Sequence, residues 1–356
     1  FAHTLMIQPI QRIILGLCVY FRVKLKPSPH VFRESKQSYK IIIGAFIMSG
    51  HIVVVGSINM DLVVRAPRHP VPGETILGNE FHTFPGGKGA NQAVAAARLG
   101  GSVKMIGRVG TDAFGGMMLA TLQKDGVDTR YVKQTDSAPT GVALITVSDS
   151  GQNNIVVVPG ANKLLSPDDI RAAEEAFEGA AVAVMQLEIP LETVAEAVRT
   201  ARKHGAKVIL NPAPAQPLPS DLLAQVNYLI PNESELSLLT GMDDIPGAAG
   251  VLKSAGISCL IVTLGSDGAL VKDDQKDIRI LPHRVSVVDT TAAGDAFVGG
   301  FAVALTQGKD TKEAAAWGNT AGALAVTKAG AQPSLPARAD LEAFMDRNPV
   351  RFEEAG

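Results

Sequence analysis

This chain has little cysteine, few aromatic residues and almost no net charge. Only Cys18 and Cys259 occur among 356 residues, far apart and in unlike surroundings. That excludes a disulfide framework and thiolate metal sites, and it points to a reducing, cytoplasmic setting. Aromatic residues make up 5% of the chain, with one tryptophan, Trp317, which reads as core. Lys and Arg number 33 against 35 Asp and Glu, so nucleic acid is not the expected partner. The seven histidines show no metal-ligand spacing; His69, His82, His204 and His283 read as surface residues. The apolar run Ile13–Phe21 is too short to span a bilayer, and nothing elsewhere resembles a transmembrane helix. The P-loop spacing Gly-x-x-x-x-Gly-Lys-Ser/Thr is missing, as is a dinucleotide fingerprint after the first strand.

What is present is a globular composition, 46% hydrophobic and 19% charged, long enough for one large α/β domain or two smaller ones. The first 47 residues differ from the rest. They hold seven Lys/Arg and a single acid, Glu34, which leaves 26 basic against 34 acidic residues beyond them. Met48-Ser49-Gly50-His51 then runs directly into Ile52-Val53-Val54-Val55. Met48 reads as the natural start, and residues 1–47 as a non-native, disordered extension, with a targeting peptide as the alternative.

From Ile52 onward, Val- and Ile-rich runs alternate with amphipathic stretches. Strands are expected at Ile52–Val55, Val103–Ile106, Val182–Leu187, Lys207–Leu210, Tyr228–Ile230 and Leu260–Leu264. Helices are expected at Ala90–Leu99, Gly115–Lys124, Asp168–Phe177, Leu191–Lys203, Ala248–Ser254, Gly294–Gln307, Thr311–Lys328 and Ala337–Met345. The alternation indicates an α/β fold with a mostly parallel sheet and helices on both faces. Ligands of such sheets bind beyond the carboxyl ends of the strands. Two regions, about 58–84 and 141–158, break the alternation and read as antiparallel pieces of a small β lid. The main domain would cover 48–346, leaving 347–356 as a tail.

Several motifs fall at strand ends or helix starts. Asp289-Thr290-Thr291-Ala292-Ala293-Gly294-Asp295 puts three residues without bulk before a long apolar helix. Unpaired first-turn amides and the positive end of the dipole make that a place for an anion. Asp295 at its edge is positioned to take a proton, as phosphoryl transfer to an alcohol requires. Gly56-Ser57-Ile58-Asn59-Met60-Asp61 leaves the first strand with an amide and a carboxylate that suit sugar hydroxyls, or a turn. Pro85-Gly86-Gly87-Lys88-Gly89-Ala90-Asn91-Gln92 exposes backbone donors before an alanine-rich helix. Glu188 ends a strand and points at the same crevice, or offsets a helix dipole. Asn232 and Glu235, three apart, can serve a hydrated Mg²⁺, although the pattern favours a helix cap. Thr263–Gly268 borders a nucleotide or forms a hairpin turn. Gly330–Ser334 offers carbonyls to a monovalent cation or ends a helix.

Taken together, the Gly86-Gly87-Lys88-Gly89-Ala90-Asn91 loop and the Asp289-to-Asp295 turn, in that order, resemble the two signatures of the ribokinase-like (PfkB) carbohydrate kinase family. The likeness spans about Ile52 to Met345, and Gln186-Leu187-Glu188 and Asn211-Pro212-Ala213-Pro214-Ala215 add to it. The resemblance implies a three-layer α/β/α sandwich with a β lid; the edge of that lid needs cover, which a second subunit in a homodimer would supply. It implies ATP-dependent phosphorylation of D-ribose at O5, with deoxyribose, fructose or nucleoside kinases and a non-catalytic sugar-binding regulator as alternatives. In that scheme Asn59, Asp61, Gly87, Lys88, Asn91 and Glu188 hold the sugar. Asp295 is the base, and the backbone of Ala292, Ala293 and Gly294 stabilises the transferring phosphoryl group. Asn232, Glu235, Thr263, Gly265, Ser266, Gly268, Gly294 and Asn319 face ATP, and Glu235 reaches Mg²⁺ through water. Asp289, Thr291, Ala325, Lys328, Gly330 and Ser334 surround K⁺. Ala296 and Asn319 stand where the family often has Thr and His.

Overall fold

The computed structural model describes residues 50–273 and 277–354. The expectations for residues 1–47 and Met48 lie outside the described residues.

The central sheet is built from β1 (His51–Val55), whose neighbours come from distant parts of the chain. β1 carries Ile52, Val53, Val54 and Val55, all at 0% exposure. Alternation sends Ile52 and Val54 into one core and Val53 and Val55 into another, which is the mark of a strand covered on both faces. Two segments then form the lid, β2 (Asn59–Ala66) and β3 (Glu80–Gly86). The chain continues through α1 (Lys88–Arg98), β4 (Val103–Gly110), α2 (Ala113–Lys124) and β5 (Asp128–Thr135). A second lid pair follows, β6 (Gly141–Ser148) and β7 (Asn153–Val158). Next come α3 (Pro167–Ala172), β8 (Ala180–Met185), α4 (Leu191–Lys203), β9 (Lys207–Leu210) and α5 (Ser220–Leu223). They lead to β10 (Tyr228–Leu229), α6 (Glu233–Thr240), α7 (Ile245–Ser254) and β11 (Cys259–Thr263). The remainder is β12 (Ala269–Lys272), β13 (Asp277–Ile280), α8 (Ala293–Thr306), α9 (Thr311–Ala325), α10 (Arg338–Arg347) and β14 (Phe352–Glu354).

The large sheet runs β14-β13-β12-β11-β10-β9-β8-β1-β4-β5. It is parallel from β5 to β11 and antiparallel from β11 to β14. All six expected strands are present. β5 and the antiparallel edge are additions, and the edge takes β14 from the C-terminal stretch that reads as a tail. The lid is a separate sheet, β3-β2-β6-β7. Its two hairpins are antiparallel, as the sequence suggests, and they join through a parallel β2–β6 pairing.

One packing contact sets the site. α8 is buried along almost its whole length and lies on the alanine-rich α1. At Gly299 a Cβ would come within 2.6 Å of the Ala95 Cβ. Glycine there lets the two helices approach, and their N-termini meet.

Candidate active site

Asp295 is the third residue of α8 and is 7% exposed. Its Oδ2 accepts a hydrogen bond from Asn91 Nδ2 at 2.9 Å, and its Oδ1 accepts one from Gln92 Nε2 at 2.9 Å. Both donors come from the first turns of α1. Just before Asp295, Ala292 caps the helix at φ 60, the one non-glycine residue with positive φ among the described residues. That conformation is costly for an alanine and is often retained where function demands it. The first amides of α8 have no intrahelical acceptor, and the Ala293 N–H reaches the Thr290 carbonyl at 3.3 Å.

These groups border a cleft of about 200 Å³. Lys88, Asn232, Glu235, Thr263, Ala292, Ala293, Gly294 and Asp295 all line it, so eight of the expected residues converge. Asn232 and Glu235 form a reciprocal cap. Asn232 Oδ1 accepts from the Glu235 N–H at 2.8 Å, and Glu235 Oε2 accepts from the Asn232 N–H at 2.9 Å. The cap reading of this pair therefore holds, and the cap faces the cleft. Burial moves the Glu235 carboxyl above its ordinary value.

The residues expected to hold the sugar lie between the lid and β8. Asn59 and Glu188 line a second cavity of about 560 Å³. Glu188 Oε2 accepts from Ser57 Oγ at 2.5 Å and from the Lys88 N–H at 3.1 Å. Asn59 Oδ1 accepts from Asn162 Nδ2 at 2.7 Å, and Asn162 also clamps the Ile58 backbone. Gly87 opens α1 at φ 86, where a Cβ would meet the Asn59 nitrogen at 2.7 Å. Asp61 packs over Gly86, where a Cβ would lie 2.3 Å from its carboxylate.

Charge is concentrated here. Asp61 is pushed up to about 7, first by burial and then by the charges of Glu188 and Asp295, against the pull of Lys88. Burial works to lower Lys88, but Asp295, Glu188, Glu235 and Asp61 outweigh it and hold the ammonium above its usual value. The site thus carries one cation amid four carboxylates.

Asp289 organises the segment that precedes the bend. Its Oδ1 accepts from the Thr291 N–H at 2.9 Å and Thr291 Oγ1 at 2.6 Å, and its Oδ2 accepts from the Gly330 N–H at 2.8 Å. Burial opposes ionisation, but these donors and the nearby Arg65 hold the carboxyl below its ordinary value. The Ala325 carbonyl accepts from the Lys328 N–H at 3.2 Å, and Ser334 Oγ donates to the Ala331 carbonyl at 2.8 Å.

Some expected residues stand outside both cavities. Gly265, Ser266 and Gly268 form the turn between β11 and β12, as the hairpin reading has it. At Gly268 a Cβ would strike the Ile280 carbonyl at 2.1 Å. Asn319 spends its amide on the Leu281 carbonyl at 3.2 Å. His69, His204 and His283 are half-buried rather than on the surface. His204 Nε2 pairs with Glu174 Oε1 and His283 Nε2 with Thr320 Oγ1. Sequence reasoning assigned no role to Ser57, Gln92, Asn162, Gln186 or Asn211, because no local pattern marks a side chain that bonds across a hundred residues.

Among the described residues no group of three or more His, Cys, Asp or Glu could cage a metal, and no helix is long and apolar enough to cross a membrane.

Comparison with known proteins agrees with this geometry. The chain is 42% identical over 300 residues to the ribokinase of Haemophilus influenzae, which covers 83% of this chain and 98% of the relative. It is 39% identical over 303 residues to a deoxyribokinase of Salmonella typhi, covering 83% and 99%. The structure of Arabidopsis thaliana ribokinase complexed with ribose and ATP superposes with a TM-score of 0.78 at 36% identity, covering 84% of this chain and 99% of the other. The profile of the pfkB family carbohydrate kinases matches residues 49–338, and this chain belongs to that family.

Proposed function

We propose that this chain transfers the γ-phosphoryl group of ATP to the 5-hydroxyl of D-ribose, giving ribose 5-phosphate and ADP. One observation carries the reading: a buried carboxylate, fixed by two amides, opens onto a cleft floored by the first turn of a helix. Asp295 takes the hydroxyl proton as the oxygen attacks in line, a contribution typically worth about 10²–10⁴-fold. The amides of the Ala292–Gly294 bend meet the charge that develops on the transferring group. Lys88 adds a positive charge at the same place. Asn59, Asp61, Gly87, Asn91 and Glu188 hold the sugar hydroxyls, and the lid excludes water from the transfer.

Glu235 suits a hydrated Mg²⁺, because its Oε2 is engaged by the cap while its Oε1 has no such role. When bound, the ion neutralises phosphate charge. Asn232 is a poorer metal ligand, since its Oδ1 already accepts from Glu235 and from Ser234 Oγ. Thr263, Gly265, Ser266, Gly268 and Asn319 border the nucleotide. A potassium ion fits the Asp289, Thr291, Ala325, Lys328, Gly330 and Ser334 segment as a carbonyl-bound ion, because hydrogen bonds already engage both Asp289 oxygens. The lid exposes Phe81, Leu144, Ile155 and Val156, and a homodimer joined there would cover them. The few cysteines suit a cytoplasmic enzyme.

The deoxyribokinase relative supports 2-deoxyribose as the second reading. ADP release measured with ribose, 2-deoxyribose and fructose separates the readings: ribose should give the largest kcat/KM, and absence of sugar-dependent ADP with all three would reject kinase activity.

A further inference from the structure

A chain of buried amides reaches Asp295 from within the protein; of its members Gln92, Gln186 and Asn211, Asn211 alone lines the cleft. Gln92 Nε2 donates to Asp295 Oδ1 at 2.9 Å and to Asn211 Oδ1 at 3.1 Å. Its other end, Oε1, accepts from Gln186 Nε2 at 2.6 Å. Gln186 is fully buried, and its own Oε1 has no hydrogen-bond partner. Beyond that oxygen lies Gly56, where a Cβ would come within 2.0 Å of it. Asn211 is anchored in turn by donating to the Ile230 carbonyl at 2.9 Å.

Burying an amide with one end unsatisfied is costly, and an apolar side chain of equal size would avoid the cost. Gln186 therefore needs a reason beyond packing. The chemistry of Asp295 supplies one. A carboxylate acting as a base only accepts hydrogen bonds. Gln92 must then present nitrogen to it, and a flipped Gln92 would set its oxygen against two acceptors, Asp295 and Asn211. The Gln186 donation to Gln92 Oε1 locks the correct orientation. Gly56 leaves the space that Gln186 needs to deliver it.

We infer that Gln186, through Gln92, is a positioning residue for Asp295: the relay fixes the carboxylate so that Oδ2, shared with Asn91, faces the substrate hydroxyl. The inference rests on the reading of Asp295 as the base. Gln186 bonds to Gln92 and not to Asn59, Asn91 or Glu188, so its effect is expected in kcat rather than in sugar affinity.

The test is a double-mutant cycle of Gln186→Met with Asp295→Asn, read as kcat, ribose KM and ribose affinity by calorimetry. Misplacing a catalytic group is expected to cost roughly tenfold in kcat for Gln186→Met, with ribose KM within about twofold. In the D295N background the further loss should fall below about twofold, because the relay has no base left to place. Equal losses in the two backgrounds, or no loss in the wild-type background, would overturn the relay and leave the base reading intact. Near-normal turnover of D295N alone would overturn both. Gln92→Met takes the same cycle if Gln186→Met does not yield folded protein, with the same expected and contrary results.

Discussion

Asn91 and Asp295 are 204 positions apart in the chain, and their side chains meet at 2.9 Å. The two family signatures are joined by that hydrogen bond. It exists because α8 crosses α1 at Gly299, and the crossing brings a donor-rich helix start against an acceptor.

The first prediction concerns this crossing. Gly299→Ala forces a methyl against Ala95 and should cost about 1–3 kcal/mol by overpacking. It should also lower kcat by shifting Asp295 from its donors. Adding Ala95→Gly should recover only part of both losses, because the Ala96 backbone nitrogen lies 2.9 Å from the same position. Urea unfolding and turnover of the single and double variants check this; an unaltered G299A enzyme would mean that the helices have slack.

Asp61 gives a pH dependence with a definite sign. Its folded value of about 7 lies above the ordinary 3.8. The folded chain therefore holds this proton to higher pH than the unfolded chain. Its contribution is intact below about pH 4 and drains away between about pH 4 and 7, by at most about 4 kcal/mol. Asp61→Asn cannot ionise, so without sugar its melting temperature should gain on wild type across that window and hold a constant lead above it. Ribose hydroxyls favour the ionised form, so wild-type affinity should rise toward pH 7 while the variant binds weakly at every pH. A difference between the two melting curves that is flat in pH would contradict this account.

Removing the carboxylate that suits the metal should separate nucleotide from sugar. Glu235→Gln is expected to raise the Mg²⁺ concentration for half-maximal turnover by roughly 10–100-fold. Ribose affinity measured without nucleotide should stay close to wild type. Titrations of Mg²⁺ at fixed ATP provide the measurement, and an unchanged requirement would remove Glu235 from the role.

The monovalent ion is tested by replacement. Turnover in potassium should exceed turnover in sodium or in a bulky organic cation, and Asp289→Ala should lose the difference by loosening Thr291 and Gly330. Equal rates in the three salts would reject a cation at this segment.

Much of this molecule is legible in its sequence because the signals are local. Ile52-Val53-Val54-Val55 is apolar at every position, as a strand buried on both faces must be. The bend before α8 shows itself through residues without bulk. β5 does not, because Asp128–Thr135 is an edge strand with a polar sequence and partial exposure. β14 is three residues long and gains its identity only by pairing with β13. Asn232 and Glu235 look like a cap because they are one, and only the fold shows that the cap borders the cleft. Gln92 sits in plain view beside Asn91, yet its partner Gln186 lies 94 positions away and no spacing announces the pair.

The most direct measurement is pre-steady-state phosphoryl transfer by Asp295→Asn, with ribose affinity determined on the same protein. The account predicts a fall in the transfer rate of at least ~100-fold, with ribose bound almost as tightly as by wild type. A variant that transfers phosphate at near wild-type rate would contradict it.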